Sequence, residues 1–285
     1  MMKIRKKTVR SSIVIRRVIC YSLFFLLFLL LIIPLYVMFV NATRSTAEIN
    51  SGFSFIPSVH FGDNWNFIVK KKLEPIAAFR NSMIISSFSS VIAVYTSMMM
   101  AYSLVVYKYK LRGLFYGIIL AAIMIPGQVT VIGFYKLVLR FHMGNTFYPL
   151  ILPTICSVGM IYFFRQYLLG VVQIELIEAG RVDGASEFRI FQTIMFPICI
   201  PAMGVQIIMS FVGSWNSLYM PSLILTSKKT RTLTVLVTLL KQTTYANELG
   251  AKYLCLFLSI IPMLIVFMIF SRFIIEGISL GSVKG

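Results

Sequence analysis

Residues 18 to 40, VICYSLFFLLFLLLIIPLYVMFV, carry no charged side chain, and nothing else in the chain limits its fold so severely. Wound as a helix at 1.5 Å per residue, the stretch spans the ~30 Å hydrocarbon core of a bilayer, for which about 20 residues suffice. Inside lipid every backbone N–H and C=O must find its partner within the protein, and a helix provides those partners within one segment. Five more apolar blocks follow, at about Ser82 to Tyr107, Leu114 to Tyr135, Pro149 to Phe164, Ile198 to Thr226 and Tyr253 to Ser271. The expected fold class is an all-α membrane protein with six transmembrane helices and both termini on one side. An apolar fraction of 58% agrees, since soluble domains hold roughly 45–50%. A cleaved signal peptide is not expected, because the first run exceeds 7–15 residues and no A-x-A-like site follows it.

Lys and Arg near the span ends set orientation. Fifteen fall on the side of the termini and twelve on the other. That difference is small, but seven of the fifteen precede the first span, between Lys3 and Arg17, and place the termini in the cytoplasm. The net charge of +18 does not point to nucleic acid, because the basic residues lie in short loops on both faces and form no single stripe. Cys20, Cys156, Cys199 and Cys255 all fall within spans without C-x-x-C spacing, so neither disulfides nor a metal site are expected.

Prolines at Pro34, Pro126, Pro153, Pro201, Pro221 and Pro262 lie in or beside the spans and either bend helices around a cavity or reflect the general frequency of proline in membrane helices. No ionisable residue falls inside the spans as drawn, which argues against proton-coupled carriers and voltage sensors. The chain has no G-x-x-x-x-G-K-[ST] and no H-E-x-x-H, and His60 and His142 read as surface residues. No catalytic residue is expected, and the chain is not expected to be an enzyme. The G-x-x-x-G from Gly113 to Gly117 is a candidate for close helix packing.

The polar stretch between the fourth and fifth spans is longer than a helix hairpin needs. IELIEAGRV suits a short helix, Asp183-Gly184 signals a turn, and ASEFRIFQTIM suits a second helix with Phe188, Phe191 and Met195 on one face. Pro197 is expected to stop that helix ahead of the fifth span. By pattern alone the stretch is either a rigid knob that bears on a partner or an ordinary solvated loop.

Here the residues identify a family. EAGRVDGASEFRIFQTIMFPICIPA resembles the EAA loop of ABC-importer permeases, E-A-A-x-x-D-G-A with an F-x-x-I-x-x-P-x-x-x-P tail at Phe191, Ile194, Pro197 and Pro201. NSMIISS, MIPGQV, SWNSLYMPSLIL and the terminal GSVKG add to a resemblance that covers nearly the whole chain and is nearest to the second permease subunit of maltose-type carbohydrate importers. Gly180 in place of the usual second alanine, and Gln173 where a proline often stands, are departures. The resemblance implies the type I importer fold, with a basic cytoplasmic N-terminus over 1–17, the first span over 18–40 and an extracytoplasmic loop over 41–80. A five-helix core over 81–275 would include a cytoplasmic coupling loop at 168–197, followed by a cytoplasmic tail over 276–285 carrying Lys284.

It further implies an ATP-driven sugar importer in the bacterial inner membrane. The partners would be a homologous permease, a cytoplasmic ATPase dimer that binds ATP and Mg, an extracytoplasmic sugar-binding protein and the lipid bilayer. Glu178, Ala179, Gly180, Asp183, Gly184, Ala185, Phe188 and Phe191 would form the ATPase contact, and the chain itself would hold no cofactor. A neutral sugar needs uncharged polar and aromatic groups, and the fifth span offers Gln206, Ser210, Ser214, Trp215, Asn216, Ser217 and Tyr219. At helical spacing Ser210, Ser214 and Ser217 share a face with Gln206 one turn earlier. These residues either line a path or bond to neighbouring helices. The other classes, a secondary carrier or a channel-like subunit, are disfavoured by the missing intramembrane charge and by the loop respectively.

Overall fold

In the computed structural model the described residues are 2–241, 245 and 247–282, with side chains described between 14 and 273; every regular element among them is helical. Two compact units divide the chain, Met1–Lys71 with Leu240–Leu258, and Lys72–Leu239 with Ser259–Gly285.

The first unit is led by α1 (Met2–Ala42), whose stretch Val14–Ala42 is long and apolar enough to cross a membrane. Its side chains are exposed through Pro34, as suits a helix whose solvent is lipid. At Val40 to Arg44 the chain turns inward and becomes buried. The Arg44 guanidinium is held by Asn41 Oδ1 at 3.2 Å and by the carbonyls of Glu48 and Gly52. Ser45 and Glu48 cap α2 (Thr46–Asn50) reciprocally, each side chain bonding the other's backbone N–H. Asn64, on α3 (Phe61–Lys70), donates to the carbonyls of Ala42 and Arg44 at 2.9 and 3.0 Å.

In the second unit α4 (Pro75–Val106) begins at Pro75 rather than Ser82, with proline in the first turn where its missing N–H costs nothing. It buries a row of small side chains, among them Ala78, Ser82, Ser86, Ser89, Ala93 and Ser97, which lets neighbouring backbones approach closely. The expected third span is instead a pair, α5 (Arg112–Met124) and α6 (Gly127–Arg140), bent by 100°. Ile125 is forced extended ahead of Pro126, and the helix cannot continue through it. Gly113 and Gly117 face open space, so no described helix packs on that G-x-x-x-G.

Next come α7 (Tyr148–Ile151), a 3₁₀ turn over Leu152–Cys156, and α8 (Val158–Val171). α8 runs past Phe164, so Arg165 lies within a membrane-length stretch and corrects the expectation of spans without charge. Its guanidinium lies 3.8 Å from the centre of the Tyr116 ring, which shields it. Then follow α9 (Ile174–Val182), α10 (Glu187–Ile190), a π-helical turn at Phe191–Met195, and α11 (Phe196–Trp215). α12 (Tyr219–Ile224), α13 (Leu233–Leu240) and α14 (Leu249–Ser282) complete the set. Within the second unit α4 packs along both α8 and α11. A Cβ on Gly204 would sit 2.5 Å from Cδ2 of Phe273, so only glycine allows α11 this approach. Residues 283–285 of the expected tail, with Lys284, lie outside the described residues.

Candidate functional site

Two places in the second unit gather the polar residues singled out above. The first is the segment from Gln173 to Pro197. α9 ends in a Schellman motif: Ala185 N–H donates to the Gly180 carbonyl and Gly184 N–H to that of Arg181, both at 3.0 Å. Gly184 takes φ +77°, the left-handed conformation that β-carbon residues adopt only at a cost. Ser186 then caps α10 by accepting from Arg189 N–H at 3.4 Å.

Glu187 bridges three elements. It accepts from Arg181 Nε at 2.7 Å and Nη2 at 3.3 Å, and from the Tyr107 hydroxyl, just beyond the end of α4, at 2.7 Å. Burial first, and then the bond to Glu187, push the Tyr107 hydroxyl above its usual range. The bond to Glu187 likewise raises Arg181. Tyr107 was missed in the sequence, where it reads as the edge of a span. Its one signal was a lone phenol ahead of the basic run KYKLR.

Gly180 is buried, and a Cβ there would lie 3.2 Å from both Ile190 Cγ1 and Ile194 Cδ1. Larger side chains on the second helix thus occupy the room left by the departure from alanine. Glu178, Ala179, Asp183 and Gly184 are exposed and Ala185 is half-buried. Neither the Glu178 nor the Asp183 carboxylate has a partner among the described residues. Phe188 is 59% exposed whereas Phe191 is 3%, so the expected shared face of Phe188, Phe191 and Met195 does not form. The π turn begins only at Phe191, so Phe188 lies ahead of it on α10 and faces outward, while Phe191 and Met195, at the two ends of the turn, both reach the core.

That same turn corrects the expected stop at Pro197. The helix passes through, because the wider π turn precedes the position where proline lacks its N–H, and Phe196–Trp215 follows without a break. The segment outside the long helices is accordingly shorter than expected, from Val172 to Ser186.

The second place is a cavity of about 550 Å³ between α4, α6, α7, α11 and α12. Ser210, Ser214 and Ser217 line it opposite Ser82, Ser86 and Ser89, with Pro149, Phe134 and Met220 among the apolar walls. The helical spacing assumed for Ser217 ends early, since α11 stops at Trp215. Gln206 is half-buried away from the lining. Trp215 is buried, donates Nε1–H to the Ser259 carbonyl at 2.9 Å and stacks on Phe211. Asn216 Nδ2 lies 3.7 Å from Met263 Sδ, and Tyr219 is exposed. Three of the seven expected path residues therefore meet at one cavity. The α4 serines opposite were missed because three serines in an apolar span read as ordinary helix packing.

Long apolar helices, one pair sharply bent, with a hydroxyl-lined cavity toward one end of α11 and a braced helical elbow ahead of its other end, define a multi-pass membrane permease. The chain belongs to the family of binding-protein-dependent transport system inner membrane components, whose profile matches residues 93–279. It is thus a permease subunit of an ABC importer, a transporter component that crosses the inner membrane several times. It is 32% identical over 272 residues to the arabinooligosaccharides transport system permease protein AraQ of Bacillus subtilis, covering 94% of this chain and 96% of that one. It is 28% identical to the lactose transport system permease protein LacG of Rhizobium radiobacter, with 94% and 96% covered. It is also 28% identical to the sn-glycerol-3-phosphate transport system permease protein UgpE of Escherichia coli, with 87% and 90% covered. A chain from the crystal structure of a bacterial ABC transporter that imports the acidic polysaccharide alginate shares the fold, with TM-score 0.75, 18% identity, and 90% and 96% covered.

Proposed function

We propose that this chain forms half of the translocation pathway of an ATP-driven importer of neutral sugars, of one or several units. Its partners are a homologous permease, a cytoplasmic ATPase dimer and an extracytoplasmic sugar-binding protein. Both termini face the cytoplasm, and ATP and Mg belong to the ATPase. The names of the AraQ and LacG relatives support a carbohydrate cargo.

The observation that carries the reading is the braced elbow at 173–197. It presents the unpaired carboxylates of Glu178 and Asp183 beside the exposed Val182 and Phe188, while its inner face is fastened to α4 and runs unbroken into α11. In this reading Glu178, Ala179, Asp183, Gly184, Ala185 and Phe188 form the docking surface, and the buried Gly180 and Phe191 support it from inside. ATP-driven closure of the ATPase displaces the elbow, and rigid helices carry the displacement to the cavity. The path runs along Ser210, Ser214 and Ser217, with Gln206, Trp215, Asn216 and Tyr219 near it.

Gly184→Val is the direct test. The left-handed conformation costs an ordinary L-residue about 1–2 kcal/mol, and a β-branched one more. Sugar uptake should fall to background while the subunit still assembles in the membrane. An assembled variant that imports at the wild-type rate would refute the coupling role of the elbow.

A further inference from the structure

We propose that the cavity of the second unit is a binding subsite for one neutral, hydroxyl-rich ring, a single unit of the transported sugar, and that it rejects anionic solutes. This rests on the importer reading above and assigns to this subunit its own hold on the cargo.

The argument begins with hydrogen bonds that are missing. Serine and threonine in helices ordinarily return their hydroxyl to a carbonyl three or four residues back. On α4 Ser90 donates to the Ser87 carbonyl at 3.0 Å, Thr96 to Ile92 at 2.7 Å and Ser103 to Met100 at 2.8 Å, while Ser97, buried and outside the cavity lining, has no partner among the described residues. None of the three serines that face the cavity returns its hydroxyl to its own helix. Ser82 accepts from Leu233 N–H at 2.8 Å, and Ser89 donates to the Leu150 carbonyl at 3.4 Å, so each fastens a wall. Ser86, between them and 1% exposed, has an Oγ with no partner among the described residues. A buried hydroxyl left unmatched is costly and calls for an explanation. Rotation of χ1 between staggered wells carries that hydroxyl along the wall, where a ligand hydroxyl can pair with it.

Across the cavity Ser210, Ser214 and Ser217 are half-buried and their hydroxyls also bond to no other described residue. Four free hydroxyls thus surround a volume of about 550 Å³, within the ~300–1,000 Å³ of small-molecule sites. Phe134, Met220 and the prolines supply apolar surface for the C–H face of a sugar ring. Among the described residues the lining has no ionisable group, so an anion entering it would lose its hydration with nothing to replace it. The cavity therefore selects neutral polyols against phosphorylated ones.

The test uses the complete transporter in proteoliposomes, with Cys20, Cys156, Cys199 and Cys255 replaced by serine and either Ser210→Cys or Ser214→Cys introduced. A small neutral thiol reagent is applied with arabinobiose, lactose or sn-glycerol 3-phosphate as probes, and import of each is measured on the same complexes. The sugar that is imported should slow labelling at both positions, about fivefold at four times its dissociation constant, and sn-glycerol 3-phosphate should not. Ser86→Ala should raise the concentration giving half-protection about tenfold, the equivalent of one hydrogen bond, and Ser86→Thr should restore it. Import of a neutral sugar without protection at either cysteine overturns the subsite and leaves the importer reading standing. Protection by sn-glycerol 3-phosphate overturns the exclusion of anions. A complex that imports no neutral sugar from a panel of mono- and oligosaccharides overturns the reading of function on which the subsite rests. If the Ser86 variants do not assemble, protection at Ser210→Cys and Ser214→Cys decides alone.

Discussion

Tyr107→Phe removes one oxygen atom and tests whether the elbow is fastened to α4 for a mechanical reason. The lost contact is a 2.7 Å hydrogen bond to a carboxylate, a type worth about 1.5–3 kcal/mol when fully buried. Here the Glu187 and Arg181 side chains are 44% and 38% exposed, and exposed ion pairs fall to about 0–1 kcal/mol through screening. The Tyr107 bond is the better shielded of the two, which places its loss at about 1–2 kcal/mol, a factor of roughly 5–30. If the bond is held throughout the transport cycle, this appears as less sugar moved per ATP hydrolysed, because the elbow moves while α4 no longer follows it. The assay is uptake and ATP hydrolysis measured together in proteoliposomes holding the full complex, with assembly checked by yield. Arg181→Ala should do less, and the Tyr107→Phe/Arg181→Ala pair should be non-additive, since both residues act through the same carboxylate. An unchanged ratio of sugar to ATP in an assembled Tyr107→Phe complex would refute the reasoning.

Other outcomes follow from single contacts. Gly204→Leu drives a side chain into the Phe273 ring and should cost at least about 1–3 kcal/mol, read as loss of assembled subunit, whereas Gly159→Ala, with nothing within 4 Å, should be tolerated. Tyr116→Leu removes the ring beneath Arg165 and the 3.3 Å bond from Gln166, and should lower the thermal stability of the solubilised complex by about 1–2 kcal/mol. Glu48 is held below the ordinary carboxylate range, first by Ser45 N–H and then by the Ser58 hydroxyl. Its contribution to stability is therefore present above its unfolded value and lost as pH falls through the folded one, and Glu48→Gln should flatten that acid limb of a thermal-melt profile.

Helix count and the elbow were legible because both are written in strong local signals, long apolar runs and an Asp-Gly turn. Gly184 is the clearest case: its left-handed conformation follows from the turn chemistry alone. Positions that depend on how a helix bends were not legible. Pro126 and Pro197 are both prolines at the edge of an apolar run, yet one breaks its helix by 100° and the other sits in a continuous one. The difference lies in the π turn before Pro197, which has no compositional signature. Phe188 was misplaced because the apolar pattern put it on the inner face, whereas it lies exposed on the short α10 ahead of the turn. Tyr107 bonds Glu187 and Ser86 shares a cavity with Ser210 and Ser214, neighbours far away in sequence of which a linear pattern holds no trace.

The unbroken helical run from Glu187 to Trp215 has a geometric consequence. Its 29 residues make a rod roughly 40 Å long, fixed at one end to the Glu187 bridge and lined with Ser210 and Ser214 near the other. A tilt of about 5° around the Glu187 end sweeps the Trp215 end through about 3.5 Å, more than the width of a water molecule. A displacement at the elbow too small to disturb its hydrogen bonds is thus enlarged, by length alone, into a change of cavity bore on the scale of a hydroxyl group.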